Sequence, residues 1–206
     1  MPAQINPTLF LNLCRLYAEL EEHTPRSKIY RVAKQLLDNN WGNAEGMADG
    51  VSVFLIAWKC HPYRFGDYDF RGLEAALRRH LTILNTYRKR DLSSLSEFDT
   101  PYVTEIFNDL AEALSDAGGD GGPNSIGAGM ALHIIAPAFF PLWDGNVARF
   151  YVGDYDTDAA SKYLQFCRVA QGILKVLHAD AGVLKYVNDT GKPLLKLFDE
   201  YNYMRY

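Results

Sequence analysis

Nowhere in the 206 residues do apolar and polar side chains alternate with the period of two that a half-buried strand requires. Apolar residues recur instead at spacings of three and four, which line one face of a helix. Between Leu9 and Glu22 they fall at Leu9, Leu13, Leu16, Tyr17 and Leu20. Thr24-Pro25 stops this helix, and a second is predicted over Ser27 to Asn39, closed by the Asn- and Gly-rich turn Asn40 to Asn43. In Ala44 to Lys59 the run Val51 to Trp58 is apolar almost all round, a pattern shared by buried strands and buried helices. Its lead-in, Glu45 to Asp49, and its helical neighbours favour a central helix, followed by a loop over Cys60 to Tyr68. Further helices are predicted over Phe70 to Thr86, Leu92 to Leu95, Thr100 to Asp116, Ile126 to Ala136, from Asn146, over Ser161 to Leu177, and over Pro193 to Met204. Ala117 to Pro123 is the clearest linker. The reading is an all-α chain, one globular domain over residues 1–206. It has two lobes, approximately 40–120 and 1–39 plus 121–206, around a central cleft.

Composition narrows the function classes. Hydrophobic residues make up 48% and charged residues 22%, the balance of an ordered globular protein. A formal net charge of -4 argues against a protein that coats nucleic acid, yet leaves room for a local basic stripe. Three separated cysteines, with no C-x-x-C pair, give neither a disulfide framework nor a thiolate metal site, and a reducing, cytoplasmic compartment is expected. No stretch approaches the ~20 apolar residues of a membrane span.

Two neighbouring segments carry chemistry. Pro123-Asn124-Ser125-Ile126-Gly127-Ala128-Gly129-Met130-Ala131 runs from a Gly-rich turn straight into a helix. The first N–H groups of a helix lack internal partners and carry the positive end of its dipole, so such a start can take a phosphate. Downstream, Phe139-Phe140-Pro141-Leu142-Trp143-Asp144-Gly145-Asn146-Val147 sets one acid just before a new helix, where it would also serve as an N-cap.

Glycine hairpin, helix, then Asp at the head of the next helix resembles the signature of the helix-hairpin-helix DNA glycosylases. Ser125 to Ala131 is similar to the family hairpin Gly-Val-Gly-Arg-Lys-Thr-Ala of its bifunctional members. Phe140 to Arg149 is similar to the Phe-Pro-Ile-Leu-Asp-Gly-Asn-Val-Lys-Arg of the adenine-excising MutY branch. The resemblance covers Pro123 to Tyr151 and implies a two-lobed glycosylase fold, double-stranded DNA carrying a damaged or modified base as partner, and a monomer. It implies Asp144 as the catalytic carboxylate and DNA contacts from Ser125, Gly127, Gly129, Met130 and Asn146. The hairpin lysine that attacks the sugar in bifunctional members is matched by Gly129, or by Met130 one position on. Neither is a nucleophile, which implies a monofunctional enzyme that uses water and leaves an abasic site. No clustered cysteines follow the last helices, so no iron–sulfur cluster, and no other cofactor, is expected.

Breaking an N-glycosidic bond builds positive charge on deoxyribose, which a fixed carboxylate stabilises, and the target base must first leave the stack. For the base pocket the candidates are Asn43, Trp58, Lys59, His61, Tyr63, Arg64 and Trp143, with Trp143 equally suited to packing. Glu45 or Asp49 could supply a second acid. His133, on an apolar helix, reads as a packed core residue, and Arg78, Arg79, His80 and Arg88 to Arg90 form the densest basic patch. The MutY-like motif suggests adenine as the base, but the chain lacks that branch's lesion-reading domain. Compact relatives that defend against phage remove hypermodified cytosines such as glucosylated hydroxymethylcytosine, and Lys59 to Tyr68 has side chains to accommodate a sugar. Two other readings remain: a non-catalytic hairpin module that binds DNA, and a helical protein-interaction domain.

Overall fold

The computed structural model describes residues 5–21, 25–58, 69–115 and 122–206, without the side chain of Arg26. Among the described residues there are ten α-helices and no strand. In chain order they are α1 (Pro7–Glu21), α2 (Pro25–Asn39), α3 (Ala44–Ala57), α4 (Phe70–Tyr87), α5 (Thr100–Ala113), α6 (Ser125–Ile135), α7 (Gly145–Val152), α8 (Ala159–His178), α9 (Ala181–Thr190) and α10 (Leu194–Arg205). Two 3₁₀ turns, Leu92–Ser94 and Glu97–Asp99, lie between α4 and α5, where a helix was expected over Leu92 to Leu95.

α6 is the helix buried all round: its residues are buried from Gly127 to Ile135, and it touches α2, α3, α5 and α8. α3 was expected in that central place, but it keeps Glu45, Asp49 and Ile56 on an exposed edge. α2 packs closely on α3 because Gly50 has no side chain; a Cβ there would lie 2.8 Å from the Leu37 backbone nitrogen. The buried apolar residues form one cluster that runs from Phe10 to Tyr201 through both predicted lobes.

Two sequence expectations change. On α1 the buried face is Phe10, Cys14 and Tyr17, not the leucine stripe; Leu9, Leu16 and Leu20 are 44%, 47% and 50% exposed. The aromatic side chains of α10 decide this, with Phe10 against Tyr201 and Tyr17 against Tyr203, both at 5.5 Å between ring centroids. Secondly, α9 lies where no helix was expected. Its ends follow local rules: Asp180 accepts from Val183 N at 3.0 Å, and Gly191 closes it in the left-handed region at φ 65°. Only Val183 is buried along it, so there is almost no apolar period to detect.

Candidate active site

The site is assembled around the segment between α6 and α7. α6 begins on Asn124, whose Oδ1 accepts from Gly127 N at 2.7 Å, while Asn124 N donates to Ala111 O of α5 at 2.8 Å. After α6 the chain turns at Ala136, whose carbonyl accepts from both Phe139 N and Phe140 N at 2.9 Å. The next residues are tied one after another. His133 Nδ1 donates to Phe140 O at 3.0 Å, Tyr163 Oη donates to Pro141 O at 3.0 Å, and Leu142 N donates to Asp199 Oδ1 at 3.1 Å. Trp143 Nε1 donates back to Ser125 O at 3.2 Å.

Asp144 follows as the N-cap of α7. Its Oδ1 accepts from Asn146 N at 2.8 Å and Val147 N at 2.9 Å, satisfying two of the donors that a helix start leaves without internal partners. Both bonds fall on one oxygen, so Oδ2 is outside the cap. The half-buried Asp144 lines a pocket with Trp58, Tyr17 and the α10 residues Asp199, Glu200 and Asn202. The pocket is small and opens to solvent, with about 30 Å³ in which a water can be centred.

Three polar residues beside this pocket are buried. Among the described residues, Asp199 Oδ2, Glu200 Oε2 and Asn202 Nδ2 have no hydrogen-bond partner, although Asn202 Oδ1 accepts from Tyr151 Oη at 3.0 Å. Asp199 Oδ2 lies 3.6 Å from His133 Nδ1, a distance that could be taken for an ion pair. Burial drives both groups to their neutral forms instead. It holds the imidazole down to about 3, against a weaker opposing effect of the Phe140 carbonyl, and pushes the Asp199 carboxyl far above the usual carboxylate range. With Nδ1–H committed to Phe140 O, His133 Nε2 is the acceptor for Tyr30 Oη at 3.3 Å. Glu200 is also raised, chiefly by burial, although Lys192 donates to its Oε1 at 2.8 Å.

Of the predicted site residues, Asp144 and Trp58 come together in the pocket. Trp143 does not join them: it is fully buried among Phe107, Tyr163 and Phe166, so it packs and does not wall a base pocket. Gly127, Gly129 and Met130 are likewise buried, which removes Met130 as a side-chain contact to DNA. Gly129 admits the indole: a Cβ there would lie 2.5 Å from Trp143 Cδ1. Ser125 is buried and uses its carbonyl on Trp143; Asn146 is exposed, with Nδ2 donating to Tyr206 O at 3.3 Å. Asn43 is exposed at the start of α3, without a side-chain cap bond. Lys59, His61, Tyr63 and Arg64 lie outside the described residues. Glu45 and Asp49 are exposed and do not line the pocket.

The basic patch is largely paired. Arg79 and His80 both reach Asp109 at 2.7 Å, Arg88 reaches Asp38 at 2.5 Å and stacks over Trp41, and Arg90 grips Asp99 at 2.6 Å. His80, Asp109 and Glu105 have atoms close enough to share a metal ion, but Arg79 already supplies the counter-charge on Asp109. Sequence reasoning missed Asp199, Glu200 and Asn202. The one signal was an acid pair inside the apolar run Leu194 to Tyr201.

Comparison with models of protein families, with curated proteins and with solved structures gave no match to this chain.

Proposed function

We propose that the chain is a monofunctional DNA N-glycosylase that extrudes a damaged or modified base and hydrolyses its bond to deoxyribose, leaving an abasic site. The observation that carries this reading is Asp144: one carboxylate oxygen is fixed by two backbone N–H groups at a helix start, and the residue lines a pocket beside buried polar groups. A carboxylate oriented before the reaction stabilises the cationic sugar without reorganising as charge develops. Its second oxygen is available to take a proton from the attacking water. The motif shared with helix-hairpin-helix glycosylases supports the same role. Because the pocket is small, the body of an extruded base is assigned outside it, against Trp58. Among modified bases, the reading favours hypermodified cytosines of phage DNA, the substrates of compact phage-defence members of the family the motif resembles.

The test is Asp144→Asn, which keeps an acceptor for Asn146 N and Val147 N and removes the charge. Wild type should convert modified duplex DNA to sites that break only after alkali, and the variant should do so about 10²–10³-fold more slowly. A duplex carrying a cationic pyrrolidine in place of the abasic sugar should bind wild type more tightly than one carrying neutral tetrahydrofuran, and Asp144→Asn should lose that preference. Alkali-labile sites formed by the variant at the wild-type rate would refute the role of Asp144.

A further inference from the structure

A second hollow lies next to the Asp144 pocket, along the seam between α7 and α10. Asp144 and Val147, with Asn202 and Tyr203 of α10, help to line the first. Asn146, Arg149 and Phe150 of α7, with Arg205 and Tyr206 at the end of α10, line the second, an open groove. Arg149 and Phe150 lie three and four residues after Asn146, so the three share one helical face, and all are exposed. Asn146 joins the two hollows: its N–H fixes Asp144 Oδ1 at 2.8 Å, and its Nδ2 donates to Tyr206 O at 3.3 Å. Among the described residues the arginines with carboxylate partners are Arg79, Arg88, Arg90 and Arg168. Arg149 and Arg205 are not of that set, and both are exposed. Their neighbours are rings. Arg149 Cζ lies 5.7 Å from the Tyr155 centroid, and Arg205 Cζ lies 5.5 Å from that of Phe150 and 5.4 Å from that of Tyr206. Arg205 also donates to Tyr201 Oη. A ring attracts a guanidinium without neutralising it, so both charges stay available to an outside anion.

An open groove bordered by two guanidinium groups selects an anion, and their planar forks match the oxygens of a phosphate. Position says which phosphate. In a DNA strand C1′ and the two flanking phosphates are carried by one deoxyribose. A sugar held at Asp144 therefore brings its own phosphates onto the adjoining surface, and the groove begins two residues from Asp144. We propose that Arg149 and Arg205 form a phosphodiester site that holds the DNA backbone beside the extruded nucleotide. The assignment rests on the glycosylase reading and supplies it with an anchor for the strand. Such an anchor has to be local, because a chain of formal net charge -4 gains nothing from its overall charge on approach to DNA. The hairpin residues Gly127, Gly129 and Met130 are buried. In the basic patch Asp109, Asp38 and Asp99 already offset Arg79, Arg88 and Arg90.

The experiment uses the full chain and the pyrrolidine duplex, with affinity measured over a range of salt concentrations. Arg149→Gln and Arg205→Gln each remove one charge and keep a polar side chain. Each should weaken binding and flatten the slope of log K against log [salt] by about 0.9, the share of one phosphate, and the double variant by about 1.8. Lys185→Gln removes an equal charge from an exposed side chain of α9 and should leave the slope unchanged. Each variant should melt within about 2 °C of wild type. Arg149→Gln keeps the test open if the loss of the bond to Tyr201 disturbs Arg205→Gln. A neutral methylphosphonate placed on one side or the other of the pyrrolidine should weaken wild type about fivefold, and should cost the variant lacking the matching arginine less than about twofold. Unchanged slopes in both arginine variants, an equal loss in Lys185→Gln, or methylphosphonates that cost wild type and variants alike overturn the groove site and leave the glycosylase reading standing. Flattened slopes with no base release from any modified duplex keep the strand site and overturn the glycosylase reading alone. Failure of wild type to bind any duplex overturns both.

Discussion

Gly129→Ala tests whether this glycine packs under Trp143 or stands in for a lost surface residue. The added Cβ would meet Trp143 Cδ1 at 2.5 Å and Tyr163 Cε2 at 3.2 Å. Neither ring can swing aside, since Trp143 is enclosed by Phe107, Tyr163, Tyr155 and Phe166. Overpacking of this kind costs about 1–3 kcal/mol. Moving the indole also lengthens the 3.2 Å bond from Nε1 to Ser125 O, worth about 1 kcal/mol. Alanine returns about 1 kcal/mol of helix propensity. The net is a loss of about 1–3 kcal/mol, or about 2–12 °C in Tm for a chain of this size. Gly172, within α8, is the control: no atom lies within 4 Å of its Cβ position. Gly172→Ala should gain about 0.5–1 kcal/mol from propensity and reduced freedom of the unfolded chain. Urea unfolding of the two variants beside wild type reads both signs at once. A Gly129→Ala protein as stable as Gly172→Ala would show that the tight approach of Trp143 does not constrain this helix.

Other perturbations have defined outcomes. His133 is held near 3 in the fold against an ordinary ~6.5, so its neutral form contributes fully above that ordinary value and is lost as pH falls through both; its ring resonances should stay unchanged from pH 8 to 4.5, and titration near 6 would contradict the burial argument. Asp199 runs the other way: its raised pKa means that stability present below ~3.9 declines as pH rises, so Asp199→Asn should be more stable than wild type at pH 8 and gain little at pH 4 by urea unfolding. Burial pushes the Cys14 thiol up to about 12 and also raises that of Cys167, so both should resist an aromatic disulfide reagent until the chain unfolds, as followed by peptide mass. Arg90→Ala would strand the buried Asp99 without its two guanidinium bonds and should cost about 3 kcal/mol; a calorimetric shift under 2 °C would refute the importance of that pair.

What the sequence made legible was local. The position of Asp144 before α7 is a capping pattern, and a cap depends only on the next three residues. The helical class followed from spacing. What was hidden depended on partners distant in sequence. The leucines of α1 form as regular a stripe as Phe10, Cys14 and Tyr17, and only contact with α10, about 185 residues away, selects between them. On α10 the spacing of Leu194, Leu197, Phe198 and Tyr201 turns Glu200 toward solvent, yet it is 1% exposed. α1 covers that side, and Lys192 with Glu21 supplies the pairing that makes its burial tolerable. Gly129 shows a further limit. As a motif position it invited comparison with a lysine, whereas its neighbour is an indole 14 residues later.

The fixing of Asp144 is a property of the six residues that end on it. Phe139 and Phe140 sit in the core, Pro141 is held from α8, Leu142 from α10, Trp143 from α6, and Asp144 by the start of α7. Their anchors come from four helices, so removing one tether leaves the others to restrain the segment. A carboxylate restrained in this way makes a good electrostatic catalyst, because its orientation is set by folding and not at the moment of reaction. The same arrangement makes Asp199 answerable to two demands. Oδ1 anchors Leu142, two residues before Asp144, and Oδ2 is buried, without a partner among the described residues. Asp199→Asn retains the acceptor for Leu142 N and removes the buried acid. Position and the cost of burying an acid can therefore be separated at one residue: a variant that gains stability at pH 8 and keeps the anchor on Leu142 has lost the buried acid and kept the geometry.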